Sequence, residues 1–475
     1  MIDTAALKNN ILELAFKGEL VSKVEGDGCI SDLIDTIPNP SNKRLGLLKK
    51  GSDTVFPYDL PDNWKIVPLG RITSYGDTPK KTIASDVSSD TWILELEDIE
   101  SGGRLLKKTR VDSRQAIGEK TTFNCGQVLY SKLRPYLKKV LQADEDGICT
   151  PELIAFDVYA GINPRYVMYY LICNFVDKVI NQRSYGVKMP RVDAQFMVNL
   201  PVPLPTIAVQ NKIVDIIDEA FSAVEKINEY QAQYSSDLEV LKSKIIDAGI
   251  QGKLTEQLPE DGTAEELLKQ IAEEKKQLIK EKKIKATKAL PEITDDEIPF
   301  DIPDNWRWVR LNDICSKITS GNTPAGGSKG GAYVAEGNCF FREQNIYNDG
   351  IHYDGMVYIN DELLATRENS TVLPQDILLN ITGGSIGRCT LVPDDFIKGS
   401  INQHILIIRV IDPRLRFYVH KCLCSPYYQK LIMGNVVGDK DGFSAGRCKN
   451  TIIPLPPINE QGRIVEKIDE ILALI

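Results

Sequence analysis

Apolar residues recur along the middle of the chain at a helical spacing. Ile213, Ile217, Ala220, Val224, Ile227, Gln231, Tyr234, Leu238, Leu241, Ile245 and Ala248 step by four and three without a break. Nine of these eleven are aliphatic or Ala, and Gln231 is the strongly polar exception. A stripe with a period of 3.5 predicts one long helix that packs along another. At about 1.5 Å per residue it would be roughly 54 Å long, a spacer between two bodies. A second helix, Thr263–Lys285, is rich in Glu and Lys and opens with a Thr-Ala-Glu-Glu capping box. Shorter patterns flank these helices. Trp92–Leu96, Gln127–Ser131, Leu153–Val158, Val372–Asn380 and Ile405–Val410 read as strands. Tyr166–Val179 and Arg416–Ile432 read as helices opened by Asn-Pro and Asp-Pro. Ser41–Gly51 reads as loop, and Ala289–Pro303, with three prolines, as a linker.

These patterns occur twice. Ala6–Ile37 aligns without gaps on Val240–Ile271 at an offset of 234. LPDNWKIVPLGRI (Leu60–Ile72) then matches IPDNWRWVRLNDI (Ile302–Ile314) at an offset of 242, so the first copy is shorter before this block. NPRYVMYYLIC (Asn163–Cys173) parallels DPRLRFYVHKC (Asp412–Cys422). VPLPTIAVQNKIVDIIDEAF (Val202–Phe221) matches IPLPPINEQGRIVEKIDEIL (Ile453–Leu472). Four blocks in one order make a duplicated unit. Leu7, Ile11 and Leu14 correspond to the last turns of the central stripe, and Ile464, Ile468, Ile471 and Ile475 to its first turns. The second copy of the helix is therefore split between the chain ends, with about ten positions missing at the gap by the heptad count. Gln231 falls opposite that gap, which places a local break there. The expected fold is α+β: two mixed bodies separated by long antiparallel coiled-coil helices, pseudo-twofold from a circularly permuted repeat. The segments are 1–59, an N-terminal helix and connector; 60–200, the first body; 201–302, the spacer helices; 303–457, the second body; and 458–475, the C-terminal helix.

Composition refines this picture. With 42% hydrophobic and 26% charged residues the chain is of the globular class, and no apolar run reaches bilayer length. The N-terminus lacks the basic and apolar blocks of a signal peptide, so a cytoplasmic location without membrane contact is expected. The net charge of −9 is unevenly placed. Residues 60–200 carry 19 basic and 17 acidic groups, 303–457 carry 16 and 15, and 201–302 carry 13 and 21. The acidity belongs to the helical connector, so each body can still gather cations on one face. Ten cysteines lack the paired clusters of a zinc module and read as reduced thiols, with no metal site.

Enzyme signatures are missing. Gly383–Arg388, GGSIGR, lacks the Lys-Ser/Thr of a phosphate loop, and neither a GxGxxG turn nor an [ND]PP[YF] tetrapeptide occurs. His352, His404 and His420 stand apart in sequence, and Glu95/Glu97 suit a solvated strand face. Paired polar loops remain. Lys132, Arg134 and Tyr136 follow the Gln127–Ser131 strand, and Thr382, Ser385 and Arg388 stand at the corresponding place in the second copy. Arg183, Tyr185, Lys188 and Arg191 precede the exit segment of the first copy, matched by position by Lys440, Phe443, Ser444 and Arg447. Arg, Lys and aromatic side chains on loops suit phosphate and base-edge contacts, and equally suit ordinary solvated loops.

The PDNW segments (Pro61–Trp64, Pro303–Trp306), the P-L-P-[TP]-I-x-x-x-Q segments (Pro203–Gln210, Pro454–Gln461) and the G-x-L turns (Gly18–Leu20, Gly252–Leu254) together resemble the specificity subunit of a type I restriction–modification system. The resemblance implies two target-recognition domains reading a split double-stranded DNA sequence, with no catalysis by this chain. It implies two modification subunits as partners, restriction–translocase subunits besides, and no cofactor here. S-adenosylmethionine, ATP and Mg²⁺ would belong to the partners. The thirteen loop residues become DNA-contact candidates; Ser444 is only a positional match. The rival readings are a self-contained methyltransferase or nuclease with degenerate motifs, and a coiled-coil protein adaptor.

Overall fold

A computed structural model describes residues 1–37, 56–77, 80–114, 118–184, 186, 189–286, 289–325, 331–434 and 443–475. The chain forms two units, Met1–Gln233 and Tyr234–Ile475, with the long helix Ile207–Ile250 running uninterrupted through the point where they meet in sequence. The expected Ser41–Gly51 loop lies outside the described residues.

In the first unit the N-terminal helix Thr4–Lys17 is capped by Asp3, whose carboxylate accepts from the Ala6 amide at 2.9 Å. It lies antiparallel to the start of the long helix. Thr4 Oγ1 meets Asn228 Oδ1 at 2.7 Å, Lys8 pairs with Glu225 at 3.8 Å, and the Lys8 ammonium sits 5.1 Å from the Phe221 ring centre. Leu12, Ala15 and Phe16 are buried in one core with Ile213, Val214 and Ile217. Gln231 exchanges hydrogen bonds with the backbone of Ile2, its amide donating to the Ile2 carbonyl at 3.3 Å. The predicted break is thus absent: Gln231 is polar because it ties down the chain end, and its backbone stays helical.

The stripe is not covered along its length. Ile213, Ile217, Val224 and Ile245 are buried, whereas Tyr234 and Leu241 are 61% and 44% exposed. In the second unit the C-terminal helix Ile458–Ala473 packs on the end of the long helix. A Cβ at Gly249 would lie 2.7 Å from Ile468 Cδ1 and 3.3 Å from Ile464 Cγ2, so glycine permits the close approach.

The two repeated ends of each body pair with each other. Lys65–Pro68 runs antiparallel to Pro201–Leu204, with Lys65 opposite Leu204 and Pro68 opposite Pro201. Arg307–Arg310 pairs likewise with Ile452–Leu455. Two-stranded ribbons tolerate these prolines because each strand keeps an edge that needs no amide donor.

The strands between follow one plan twice. In the first body the order is Lys81–Ile83, Glu119–Phe123, Gly147–Cys149, Trp92–Leu94 and Thr109–Arg110, with Trp92–Leu94 parallel to Gly147–Cys149. The second has Thr371–Val372, Gly399–Ile401, Asn338–Phe341 and Val357–Ile359, with Asn338–Phe341 parallel to Gly399–Ile401. A further antiparallel sheet, Val140–Gln142, Val128–Ser131 and Leu153–Phe156, is matched by Cys389–Leu391, Ile377–Asn380 and Ile405–Val410. The added strand Cys315–Ser320 of the second body shrinks in the first to the single bridge Thr73–Val158.

Several predicted elements are broken in two. Val372–Asn380 divides into Thr371–Val372 and Ile377–Asn380, in different sheets. Between them Gln375 takes φ +70° and Asp376 accepts from the Leu373 amide at 2.8 Å, a turn that Pro374 favours. Arg416–Ile432 becomes Arg416–Cys424 and Pro426–Gly434, since the residue before a proline avoids the helical region. Tyr166–Val179 likewise becomes Pro164–Ile172 and Asn174–Arg183, with Cys173 extended between them. Trp92–Leu96 shortens to Trp92–Leu94 before a 3₁₀ turn, and Leu153–Val158 to Leu153–Phe156.

The Thr263 capping box is formed, with Glu266 accepting from the Thr263 amide at 3.0 Å and Thr263 Oγ1 accepting from the Glu266 amide at 3.3 Å. Its helix, Ala264–Lys280, ends five residues before the predicted Lys285. The linker that follows is anchored by buried Arg310. That guanidinium donates to both Glu297 carboxylate oxygens at 3.0 and 2.9 Å and to the carbonyls of Pro291, Glu292 and Asn450. No helix among the described residues is long and apolar enough to cross a membrane.

Candidate nucleic-acid interface

In each body, two segments far apart in sequence are joined by backbone hydrogen bonds at the end of one strand. In the first, Val128–Ser131 runs out into the turn Pro135–Leu137. The Arg134 amide donates to the Pro190 carbonyl at 2.7 Å, the Val192 amide to the Lys132 carbonyl at 3.1 Å, and Leu133 bridges Arg191. The 132–136 and 183–191 candidates therefore share one ledge. Ser131 Oγ locks its base by donating to the Leu133 carbonyl at 2.7 Å. Leu133 and Pro135 point inward, which turns Arg134 and Tyr136 outward; Tyr136 is 48% exposed. Arg134 holds φ +48°, a left-handed conformation costing a non-glycine residue about 1–2 kcal/mol. Such strain persists only where the surroundings over-determine it.

Lys132 is half-buried on the same ledge, and Arg183 is exposed at the end of helix Asn174–Arg183. Arg191 is already engaged, reaching Glu152 at 2.8 and 3.3 Å. The Arg191 hydrogen bond holds the Glu152 carboxyl below the usual carboxylate range, against the burial that raises it. Arg191 is thus a ledge fastener whose charge is largely spent. Tyr185 and Lys188 lie outside the described residues. Tyr136 also lines a groove of about 1250 Å³ bounded by the N-terminal helix, the long helix and the sheet, where Arg165 is paired with Asp218.

The second body builds the same ledge with other side chains. Strand Ile377–Asn380 runs into Gly383–Ser385, and the Phe443 amide donates to the Ile381 carbonyl at 3.3 Å. Asn380 Nδ2 donates to the Glu343 carbonyl at 2.9 Å and to Ser385 Oγ at 3.2 Å. Thr382 Oγ1 meets His404 Nδ1 at 2.6 Å. The Arg388 guanidinium lies 4.3 Å above the Tyr347 ring, and that ring stacks on His352 at 4.0 Å and 13°. Arg388, Tyr347 and His352 form a column, a cation–π contact extended by a flat imidazole.

Phe443 departs from its expected role. Only 2% exposed and part of the main core of its unit, it cannot present its ring to a ligand. An aromatic residue in a loop is as often a plug as a contact. Arg447 is half-buried in the short helix Ala445–Asn450, where its amide donates to the Ser444 cap at 3.2 Å. Lys440 lies outside the described residues. Tyr347, His352 and His404 were not among the expected contacts, and all three histidines, though apart in sequence, have partners. Their sequence separation concealed this: His404 reaches Thr382 only because strands Ile377–Asn380 and Ile405–Val410 pair.

These geometries, two polar ledges on one repeated strand plan, are those of a binding scaffold. Residues 303–475 match the family model of the type I restriction modification DNA specificity domain. The chain is 26% identical to the specificity subunit of the type I restriction enzyme EcoAI of Escherichia coli over 537 aligned positions, covering 98% of this chain and 88% of that one. It is 24% identical to the EcoEI specificity subunit of the same species, over 67% of this chain and 63% of that one. A solved structure from work on complex assembly and conformational transition of a type I restriction–modification system shares the fold. Its TM-score is 0.62 at 20% identity, covering 88% and 92% of the two chains. Over nearly its whole length the chain is similar to the specificity subunits of type I restriction–modification systems, and its residues 303–475 match their DNA specificity domain. Such subunits are the non-catalytic components of their complexes.

Proposed function

We propose that this chain recognises a bipartite double-stranded DNA target in the cytoplasm, each body reading one half, and recruits the subunits that act on it. The observation that carries this reading is the shared ledge. Both bodies join the same two segments through backbone hydrogen bonds, from Arg134 to Pro190 and from Phe443 to Ile381, while the exposed side chains differ. A constant backbone frame with changed side chains is what two different half-sites need. Residues 60–200 and 303–457 are the two readers. In the first, Lys132, Arg134, Tyr136, Arg183, Tyr185 and Lys188 face DNA, with Arg191 holding the ledge. In the second, Thr382, Ser385, Arg388, Lys440 and Arg447 do so, with Phe443 as the plug beneath them.

The segments 1–59, 201–302 and 458–475 are the frame, a circularly permuted repeat with pseudo-twofold character that seats two modification subunits and then restriction–translocase subunits. S-adenosylmethionine, ATP and Mg²⁺ serve those partners. The long helix sets the gap between half-sites. Exchanging residues 303–457 for the corresponding body of a relative, then mapping methylated sites, tests modular reading. One half of the recognised sequence should change, and new bases in both halves would overturn the proposal. Four residues inserted at Ser235–Asp237 add about 6 Å of helix and should change the spacing alone.

A further inference from the structure

We infer that the second body holds a zinc ion between Cys389, His420 and Cys424. Cys389 begins the strand Cys389–Leu391, and His420 and Cys424 stand one turn apart on helix Arg416–Cys424, so both side chains emerge on one face. The strand and that face bring two sulfurs and an imidazole nitrogen within 4.8 Å of one another. Cys424 Sγ is 3.5 Å from His420 Nε2.

Tetrahedral zinc, with bonds of about 2.3 Å to sulfur and 2.0–2.1 Å to nitrogen, requires a sulfur–nitrogen edge of about 3.6 Å. The existing separation already meets that requirement. His420 Nε2 also lies 3.0 Å from the Cys389 carbonyl, and ligation exchanges that hydrogen bond for the metal.

The donor set suits zinc. Two thiolates and one neutral imidazole balance a divalent cation, so a half-buried site is left without net charge. Cys389 is fully buried, while His420 and Cys424 are half-buried, so the trio lies at the rim of the core where an ion can enter. Cys422, two residues from both His420 and Cys424, stands on another face of the helix and is not one of the clustered donors. Cys389 directly follows Arg388, so the ion pins the base of the Thr382–Arg388 loop to the helix behind it. Gln429 ties the same loop independently, donating to the Gly387 and Leu423 carbonyls at 2.7 Å each. The role is structural, holding a ledge in shape.

The full chain, stripped with chelator under reducing conditions, is titrated with zinc chloride and separately with cobalt chloride. Expected are one ion per chain and, for cobalt, thiolate charge-transfer and tetrahedral ligand-field absorption. His420→Ala and Cys424→Ala should abolish both signals, and Cys422→Ala should keep them. If the ligand variants fold poorly, the wild-type chain decides. Zinc should shield the partly accessible Cys424 from alkylation, mapped by mass spectrometry, while exposed Cys29 and Cys125 stay reactive. Zinc retained by His420→Ala and Cys424→Ala, or a Cys389–Cys424 disulfide with no zinc uptake after reduction, would overturn the inference.

Discussion

Replacing Gly18 by Ala tests why the G-x-L turn and the PDNW segment travel together through both copies. Gly18 ends the N-terminal helix at φ +75°, its amide donating to the Ala15 carbonyl at 3.2 Å. A Cβ there would lie 2.6 Å from both Cδ and Cγ of Pro61 and 3.5 Å from the Trp64 ring. Two costs follow: about 1–2 kcal/mol for a left-handed alanine, and about 1–3 kcal/mol for forcing a carbon against a ring that cannot rotate away. Gly26 in the same unit isolates the first cost, because it has φ +76°, is exposed, and has nothing within 4 Å of its would-be Cβ. Gly18→Ala should therefore destabilise the first unit by about 1–3 kcal/mol more than Gly26→Ala, or about 2–12 °C in melting temperature for a unit of this size. Hydrogen exchange of peptides around Leu12–Leu20 and Leu60–Ile72 reads this unit without interference from the other. Equal protection loss in the two variants refutes the packing argument. Gly252→Ala should repeat the larger effect in the second unit, where the Cβ would sit 2.5 Å from Pro303 Cγ and 3.2 Å from Trp306.

Glu152→Gln should release the Arg191 charge toward bound DNA, steepening the dependence of log K on log salt by about 0.9; an unchanged slope would place Arg191 away from the phosphates. Phe443→Ala should destabilise the second unit by about 3–5 kcal/mol in urea titrations, as a truncated buried ring does, whereas a cost near zero contradicts its role as a plug. The Arg310 hydrogen bonds hold the Glu297 carboxyl down at about 2. A depressed carboxylate contributes stability that is fully present above its unfolded value, near 4.3, and lost as pH falls toward about 2. Glu297→Gln should accordingly flatten the fall in second-unit stability between those values, as followed by acid titration of hydrogen exchange. Tyr347→Leu should loosen Arg388 and weaken target binding of the assembled complex, detected as faster dissociation.

The frame was legible because backbone geometry dictates it. A left-handed turn asks for glycine, the strand joining a two-stranded ribbon tolerates proline, and a helix seam asks for an apolar residue every third or fourth position. Gly18 and Gly252, Pro203 and Pro454, and Ile213 and Ile464 can therefore be paired across the copies from the sequence alone. The ledges were legible only as composition. Phe443 and Tyr136 are both aromatic loop residues, and tertiary packing alone turned one inward and the other outward. The Cys389, His420 and Cys424 trio escaped notice because one ligand comes from a strand and two from a helix later in the chain. No local spacing announces that meeting.

The same contrast separates what the two bodies share from what they solve differently. Each PDNW tryptophan is buried and finds a partner for its indole N–H, as most buried donors do. Trp64 donates to the Ser22 carbonyl at 3.1 Å. Trp306 donates to the Glu460 carboxylate at 2.9 Å, and the other Glu460 oxygen accepts from Gln257 at 3.0 Å. The ring is a requirement of the frame, whereas its acceptor is local. In the second unit that acceptor sits on the C-terminal helix, so Glu460 couples the docking of this helix to the turn following the long helix. Glu460→Ala leaves the indole donor buried without a partner, at about 1–3 kcal/mol, and should raise exchange in the C-terminal helix and around Trp306 together. Ser22 contributes only a carbonyl, which no side-chain substitution removes. The first unit thus lacks an equivalent weak point, and its N-terminal helix should be the less sensitive of the two to single substitutions at its tryptophan acceptor.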